Sequence, residues 1–303
     1  MTTVAAPAPS PAPTSSGANV AARRRRMTGY VLLAPAVIWL GLFFVVPFYS
    51  LIATSLYGPK GSVLTGYDMS WSFGNYWDAF KSYKGPLGRS LWYGALTSFF
   101  CLILGYVLAY AIAFKAGRWK NLMLVLVIAP FFTSFLVRTL SWKLILSDNG
   151  IVVDVLQAVH LVGQDGRLLA TPVAVIAGLT YNFLPFMVLP LYASLDKIDH
   201  RYLEASRDLY ANSFMGFWKI TWPLSIPGVV AGTLLTFIPA AGDYINAQLL
   251  GSPQQRMVGN VIQNLFTNAN DYPAAGALSM MLSIVIVVMV MVYVRWFGTE
   301  ELL

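Results

Sequence analysis

Six long apolar runs divide this chain, at residues 30–56, 91–114, 121–146, 170–195, 225–247 and 276–297. About 20 apolar residues let a helix cross the hydrocarbon core of a bilayer, and each run meets that length. A single soluble core of this size would need helices with polar faces, which most of these runs lack. Composition agrees: mean hydropathy is +0.63 and 11% of residues are charged, against about 25% in soluble domains. The Gly and Pro inside the runs are tolerated in membranes, where neighbouring helices satisfy the freed backbone groups. The expectation is an all-α, multi-pass membrane protein with six transmembrane helices.

The segments between the runs set topology. Residues 1–22 are Pro, Ala, Ser and Thr with almost nothing to bury, so a disordered tail over 1–27 is expected. Arg23–Arg26 precede a first run nearly twice as long as a cleavable signal core, which points to a retained first helix at 28–57. If those arginines face the cytoplasm, the inner segments hold twelve Lys and Arg and the outer segments eight. Both termini are then cytoplasmic. The net charge of +7 sits at these membrane edges and gives no sign of a nucleic-acid partner. Cys101, the single cysteine, lies inside a run and reads as a small buried apolar residue.

Residues 58–90 read as an extracytoplasmic loop, and 91–298 as the core of the protein. Between the third and fourth runs, Ile151, Val152, Val155, Leu156 and Val159 share a helical face. That predicts a helix lying on the outer membrane surface, with His160 as polar surface beside it. Residues 248–275 read as re-entrant or outward-capping. Arg138 and Lys143, in the outer half of the third run, are expected to snorkel or to pair with Asp148.

One island breaks the apolar pattern. Residues 196–219 carry eight charges, from Asp196 to Lys219. At roughly 3 kcal/mol each near a span centre, inserting them would cost on the order of 24 kcal/mol. The segment is therefore expected in the cytoplasm. Leu195, Ile198, Tyr202, Ala205 and Leu209 recur at helical steps, while Glu204 and Asp208 sit one turn apart off that stripe. Pattern alone leaves two readings open: a docking helix with its carboxylates outward, or a solvated loop helix with no partner.

The stretch resembles the EAA loop of ABC-importer permeases: Glu-Ala-Ala, three residues, Gly, nine residues, then Ile-x-Leu-Pro. Here Glu204, Ala205 and Ser206 are followed by Tyr210, Ile220, Trp222 and Pro223 at the same spacing. Tyr210 stands where Gly is usual, a substitution that bears on the tight turn there and not on the helix before it. Three further blocks, at 137–150, 181–199 and 238–266, resemble the first permease subunit of spermidine/putrescine importers, and the likeness runs from about residue 28 to the C-terminus. It implies a type I importer permease of the bacterial inner membrane. Its implied partners are a second permease subunit, two ATPase subunits and an extracytoplasmic solute-binding protein. A coupling helix is implied at about 196–217. Glu204 is its coupling carboxylate, Arg207 and Asp208 are secondary candidates, and the turn from Ile220 to Pro223 is a lever on the fifth span.

The residues fit that division of labour. No G-x-x-x-x-G-K-[ST] phosphate loop occurs, so the chain itself is expected to hold no cofactor, with ATP and Mg in the partner subunits. It has no HExxH, no serine elbow and no CxxC, and no enzymatic role is expected. For the solute path, an ionisable group near a span is a functional hypothesis. Asp243 is the candidate, with Tyr244, Phe237, Trp142, Tyr181 and Asn182 at comparable depth. A carboxylate among aromatics suits a polycation through charge pairing and cation–π contact. For the aromatics, ordinary helix packing is the other reading; for Asp243 it is a polar helix end at the interface. Permeases for other small solutes share these blocks, so the solute stays open. A channel or secondary transporter would have no use for the docking helix.

Overall fold

The computed structural model describes residues 32–58, 61, 66–148, 150–158, 166–208, 210 and 212–297. The expected tail over 1–27, Arg23–Arg26, Lys60, Val159, His160 and Leu209 lie outside the described residues. Among the described residues five helices are long and apolar enough to cross a membrane, or six if two helices bent against each other count as one span.

The first, α1 (Leu32–Ser55), is apolar all round. Leu33, Trp39 and Phe44 are 60%, 63% and 68% exposed. A helix with such a surface needs lipid as its solvent. Residues to Ala53 form one compact unit and those from Thr54 another.

The second unit is built on three helices: α2 (Gly74–Lys115), α6 (Pro172–Leu195) and α8 (Ser213–Ala241). Small side chains set how closely they approach. Along α2, Ser90, Gly94, Thr97, Ser98, Cys101, Gly105 and Ala109 are buried at helical spacing. A Cβ on Gly94 would stand 3.2 Å from that of Ala241. On α8, a Cβ at Gly228 would lie 2.8 Å from the Pro190 carbonyl oxygen, and one at Gly232 would lie 2.7 Å from the Met187 sulfur. Membrane helices associate through such small-residue seams, because lipid removes the hydrophobic drive between them. Leu179, Met187, Val188, Leu191 and Leu195 of α6 fill the core, all fully buried.

Two boundaries differ from the sequence reading. Residues 74–90, expected in an outer loop, continue α2 toward its N-terminus. Tyr83 (φ −123°, ψ 17°) and Pro86 mark a kink there. The run 121–146, expected as one span, is α3 (Lys120–Ile128) with a 3₁₀ turn Ala129–Phe132, then α4 (Phe135–Ile145), bent by 93°. Pro130 lacks an N–H and tightens the end of α3, and Thr133 (ψ 141°) and Ser134 (ψ 137°) are extended. Next comes α5 (Ile151–Ala158), where the sequence expects a helix; among its described side chains Val153 is buried and Val155 is 56% exposed. After α8 the chain makes α9 (Ile245–Leu250) and the amphipathic α10 (Val258–Thr267), and closes with α11 (Tyr272–Phe297), which packs on α2 and α10.

Candidate functional site

Polar side chains gather at the two ends of α8, and the two gatherings are built differently. At the α9 end they are buried. The N–H of Asn246 donates to Asp243 Oδ1 at 2.8 Å, so a side-chain oxygen caps the first turn of α9. Asn182 of α6 donates from Nδ2 to Asn246 Oδ1 and to Thr139 Oγ1 of α4, both at 3.1 Å. Thr139 in turn donates to the Phe135 carbonyl at 3.1 Å. Asn182, Thr139, Asn246 and Asp243 are each at most 8% exposed. α10 closes over this corner: Asn260 Nδ2 donates to the Tyr244 carbonyl at 2.6 Å. A Cβ on Gly259 would stand 2.6 Å from the Gly242 oxygen, so this approach admits only glycine.

The knot is not saturated. Asn182 Oδ1 and Asn246 Nδ2 are buried with no hydrogen-bond partner, as are Nε and Nη1 of Arg138, among the described residues. Asp243 has no ion pair among them. Arg138 neither snorkels nor meets Asp148. It is 7% exposed, with its guanidinium 5.3 Å from the Phe131 ring and 5.6 Å from the Phe135 ring. Asp148 pairs instead with Arg167 at 3.3 Å. The break between α3 and α4 is the reason: it turns Arg138 inward, beneath the two rings that flank the bend.

Of the expected path residues, Asp243 and Asn182 belong to the knot. Trp142 and Tyr181 form an edge-to-face pair at 5.6 Å on α4 and α6, one residue or turn from Thr139 and Asn182. Tyr244, 39% exposed, follows Asp243. Phe237 does not join them. It lines an apolar groove of about 410 Å³ with Phe99, Leu102, Val229 and Met289, between α2, α8 and α11. Thr139 and Asn246 were missed from sequence. Each of the three runs holds several small polar residues, and none of their spacings singles out Thr139 or Asn246.

At the other end, α7 (His200–Asp208) leads through Tyr210 into α8. Helix covers less of the island than the expected 196–217: it stops at Asp208, and Asn212 caps a new start by accepting from the Met215 N–H at 2.7 Å. Ile198 and Ser206 are buried, whereas Tyr202 is 58% exposed. The covered stripe therefore ends on Ser206 rather than Ala205. Ser206 Oγ lies 3.3 Å from where a Cβ on Gly216 would be, so small residues on both sides let α7 fold back on α8. Between them lies an open groove of about 630 Å³, lined by Tyr202, Ala205, Met215, Lys219, Ile220 and Pro223. Glu204 and Asp208 are exposed, and no described residue pairs with either. The side chain of Arg207 lies outside the described residues. Tyr210 makes the turn in spite of its side chain, with φ +59°.

This segment is braced to the bundle. Tyr106 of α2 packs 5.5 Å from the Phe217 ring and 5.4 Å from the Trp222 ring, and its hydroxyl meets Ser225 Oγ at 2.8 Å. Phe217–Thr221 is a π-helical turn, a wide turn often found at functional sites. Aromatic contacts thus tie the start of α8 to α2.

Comparisons with known proteins agree on the class. Residues 20–295 match the family described as binding-protein-dependent transport system inner membrane component. The chain is 35% identical over 258 residues to the spermidine/putrescine transport system permease protein PotB of Haemophilus influenzae, covering 85% of this chain and 90% of that one. It is 36% identical over 265 residues to the PotB of Escherichia coli, covering 87% and 96%. Its fold is similar to a bacterial ABC transporter involved in import of the acidic polysaccharide alginate, with TM-score 0.72 at 18% identity over 90% of this chain and 96% of that one.

Proposed function

The chain belongs to the inner membrane components of binding-protein-dependent transport systems, a non-catalytic, multi-pass permease subunit, and from that premise we propose that its solute is a polyamine such as spermidine or putrescine. Two partner ATPases would supply the energy, a second permease the other half of the path, and an extracytoplasmic binding protein the solute.

The observation that carries the solute reading is Asp243: a buried carboxylate with no ion pair among the described residues, in the same knot as an unpartnered Asn182 Oδ1. A polyamine offers N–H donors for Asn182 Oδ1 and positive charge for Asp243, which already accepts from the Asn246 N–H. The flanking Trp142 and Tyr181 rings add cation–π surface. The relatives named for spermidine and putrescine support the same reading. Alternating access follows if ATP binding in the partners favours one orientation, since a ligand shifts an equilibrium only through differential affinity.

A second reading has its own observation. The two unpartnered nitrogens of Arg138 are donors and suit an anionic solute. One assay separates the two: ATP hydrolysis by the assembled transporter, stimulated by binding protein loaded with spermidine, putrescine, sulfate or maltose. We expect stimulation by the polyamines alone, reduced about tenfold or more in Asp243→Asn, because Asn keeps the cap on α9 but loses the charge. Stimulation by sulfate, or an unchanged response in Asp243→Asn, rejects the polyamine site.

A further inference from the structure

We propose that Tyr210 is an aromatic anchor by which this chain grips and selects its ATPase subunit. The proposal rests on the coupling role of α7 and adds to it a residue and a specificity.

Two observations about Tyr210 pull in the same direction. Its backbone holds φ +59°, a left-handed conformation that glycine adopts freely and that crowds any side chain with a Cβ. Its side chain is 99% exposed, so the ring stabilises nothing within the chain. For the fold alone glycine would serve better here, and glycine is what stands at this position in the motif that residues 204–223 resemble. Strain retained without an internal benefit marks a site whose compensation lies elsewhere.

The surroundings say where. Tyr202, Phe214 and Trp218, at 58%, 75% and 57% exposure, make the same segment rich in open aromatic surface. Tyr and Trp dominate the energetic centres of protein interfaces. Exposed Glu204 and Asp208 precede Tyr210 on α7. Carboxylates are repelled by the anionic cytoplasmic leaflet, and with Arg201 and Arg207 the helix carries two charges of each sign, so it has no basic excess to hold it on lipid. It fits a protein groove that offers a basic side chain to Glu204 and an apolar pocket, beyond it, for the ring. An ATPase whose groove has no such pocket would meet the ring as a clash, and specificity of this kind comes from rejecting the wrong partner as well as holding the right one.

The test is titration of the permease pair with its own ATPase and with the ATPase of another importer, both in detergent and in nanodiscs of zwitterionic lipid. Variants are Tyr210→Gly, Tyr210→Phe and Glu204→Ala. Tyr210→Gly should weaken binding of its own ATPase roughly tenfold or more, narrow its preference over the foreign one, and leave the permease at least as heat-stable as wild type. Tyr210→Phe should stay within about threefold of wild type, since the ring is kept. Wild-type affinity in Tyr210→Gly overturns the anchor, as does a loss seen in nanodiscs but absent in detergent, which would place the ring in lipid. If Glu204→Ala also binds normally, the coupling role of α7 fails first, and the two failures are told apart.

Discussion

The knot of Asp243, Asn182, Thr139 and Asn246 and the segment from Glu204 to Pro223 spend polar groups in opposite ways. In the knot, four buried side chains from three helices and a loop mostly satisfy one another. In the segment, Glu204 and Asp208 turn away from the chain and pair with nothing described. Polar groups cost most where water is absent, so a membrane protein buries only those that find partners or await a ligand. At the α7 end water is present and the same groups can wait for a protein. The first arrangement suits a small solute, the second a subunit.

That contrast is broken most forcefully at Glu204. If α7 docks against a basic groove, as proposed, the Glu204 carboxylate becomes one half of a desolvated ion pair, and removing one partner of such a pair typically costs ~3–5 kcal/mol. Glu204→Ala should therefore lower ATPase affinity by a hundredfold or more, and leave the isolated permease as stable as wild type. Pull-down of the ATPase alongside a thermal melt of the permease reads both. Normal assembly would show that the exposed carboxylates await no partner.

Asn246→Leu is the reciprocal change. It removes the acceptor for Asn182 Nδ2 and Thr139 Oγ1 and should destabilise the permease by roughly 1–2 kcal/mol. ATPase docking should survive. If the melting temperature is unchanged, the knot is not a cohesive unit, and its residues hold polar groups for another reason.

How far could the sequence see either region? The segment was legible because charge in a membrane chain is so costly that eight such residues specify their own surroundings. Glu204 could be placed outward from helical phase alone, and Ser206 rather than Ala205 at the covered edge is a difference of one position. Tyr210 was readable as a substitution but not as a retained turn, since φ depends on how α7 and α8 fold back on each other. The knot was half legible. Asp243 and Asn182 stand out as polar residues in apolar runs. Thr139 does not, because a threonine in a membrane helix ordinarily bonds its own backbone, as it also does here to Phe135. Arg138 misled because its burial follows from the 93° break after α3, and a continuous apolar run gives no notice of a bend. The N-terminal part of α2 was hidden likewise: Lys81, Lys84, Gly85 and Pro86 have the composition of a loop, and tertiary support makes them helical.

The smallest expected effect lies on the route between the two regions. Tyr106 joins α2 to the start of α8 by ring contacts and by its hydroxyl. Tyr106→Phe keeps the rings and removes only the hydroxyl. Ser225 keeps a partner, because its own hydroxyl donates to the Trp222 carbonyl at 2.8 Å, so no orphan is left behind and the loss should be about 1 kcal/mol or less. Solute-stimulated ATP hydrolysis should then fall by no more than a few-fold, with docking and basal hydrolysis unchanged. Tyr106→Ala, which deletes the contacts with Phe217 and Trp222 as well, should uncouple far more strongly. If both variants are equally uncoupled, the hydroxyl carries the signal; if neither is, α7 communicates with the buried knot through α8 itself, and the aromatic brace only holds the helices together.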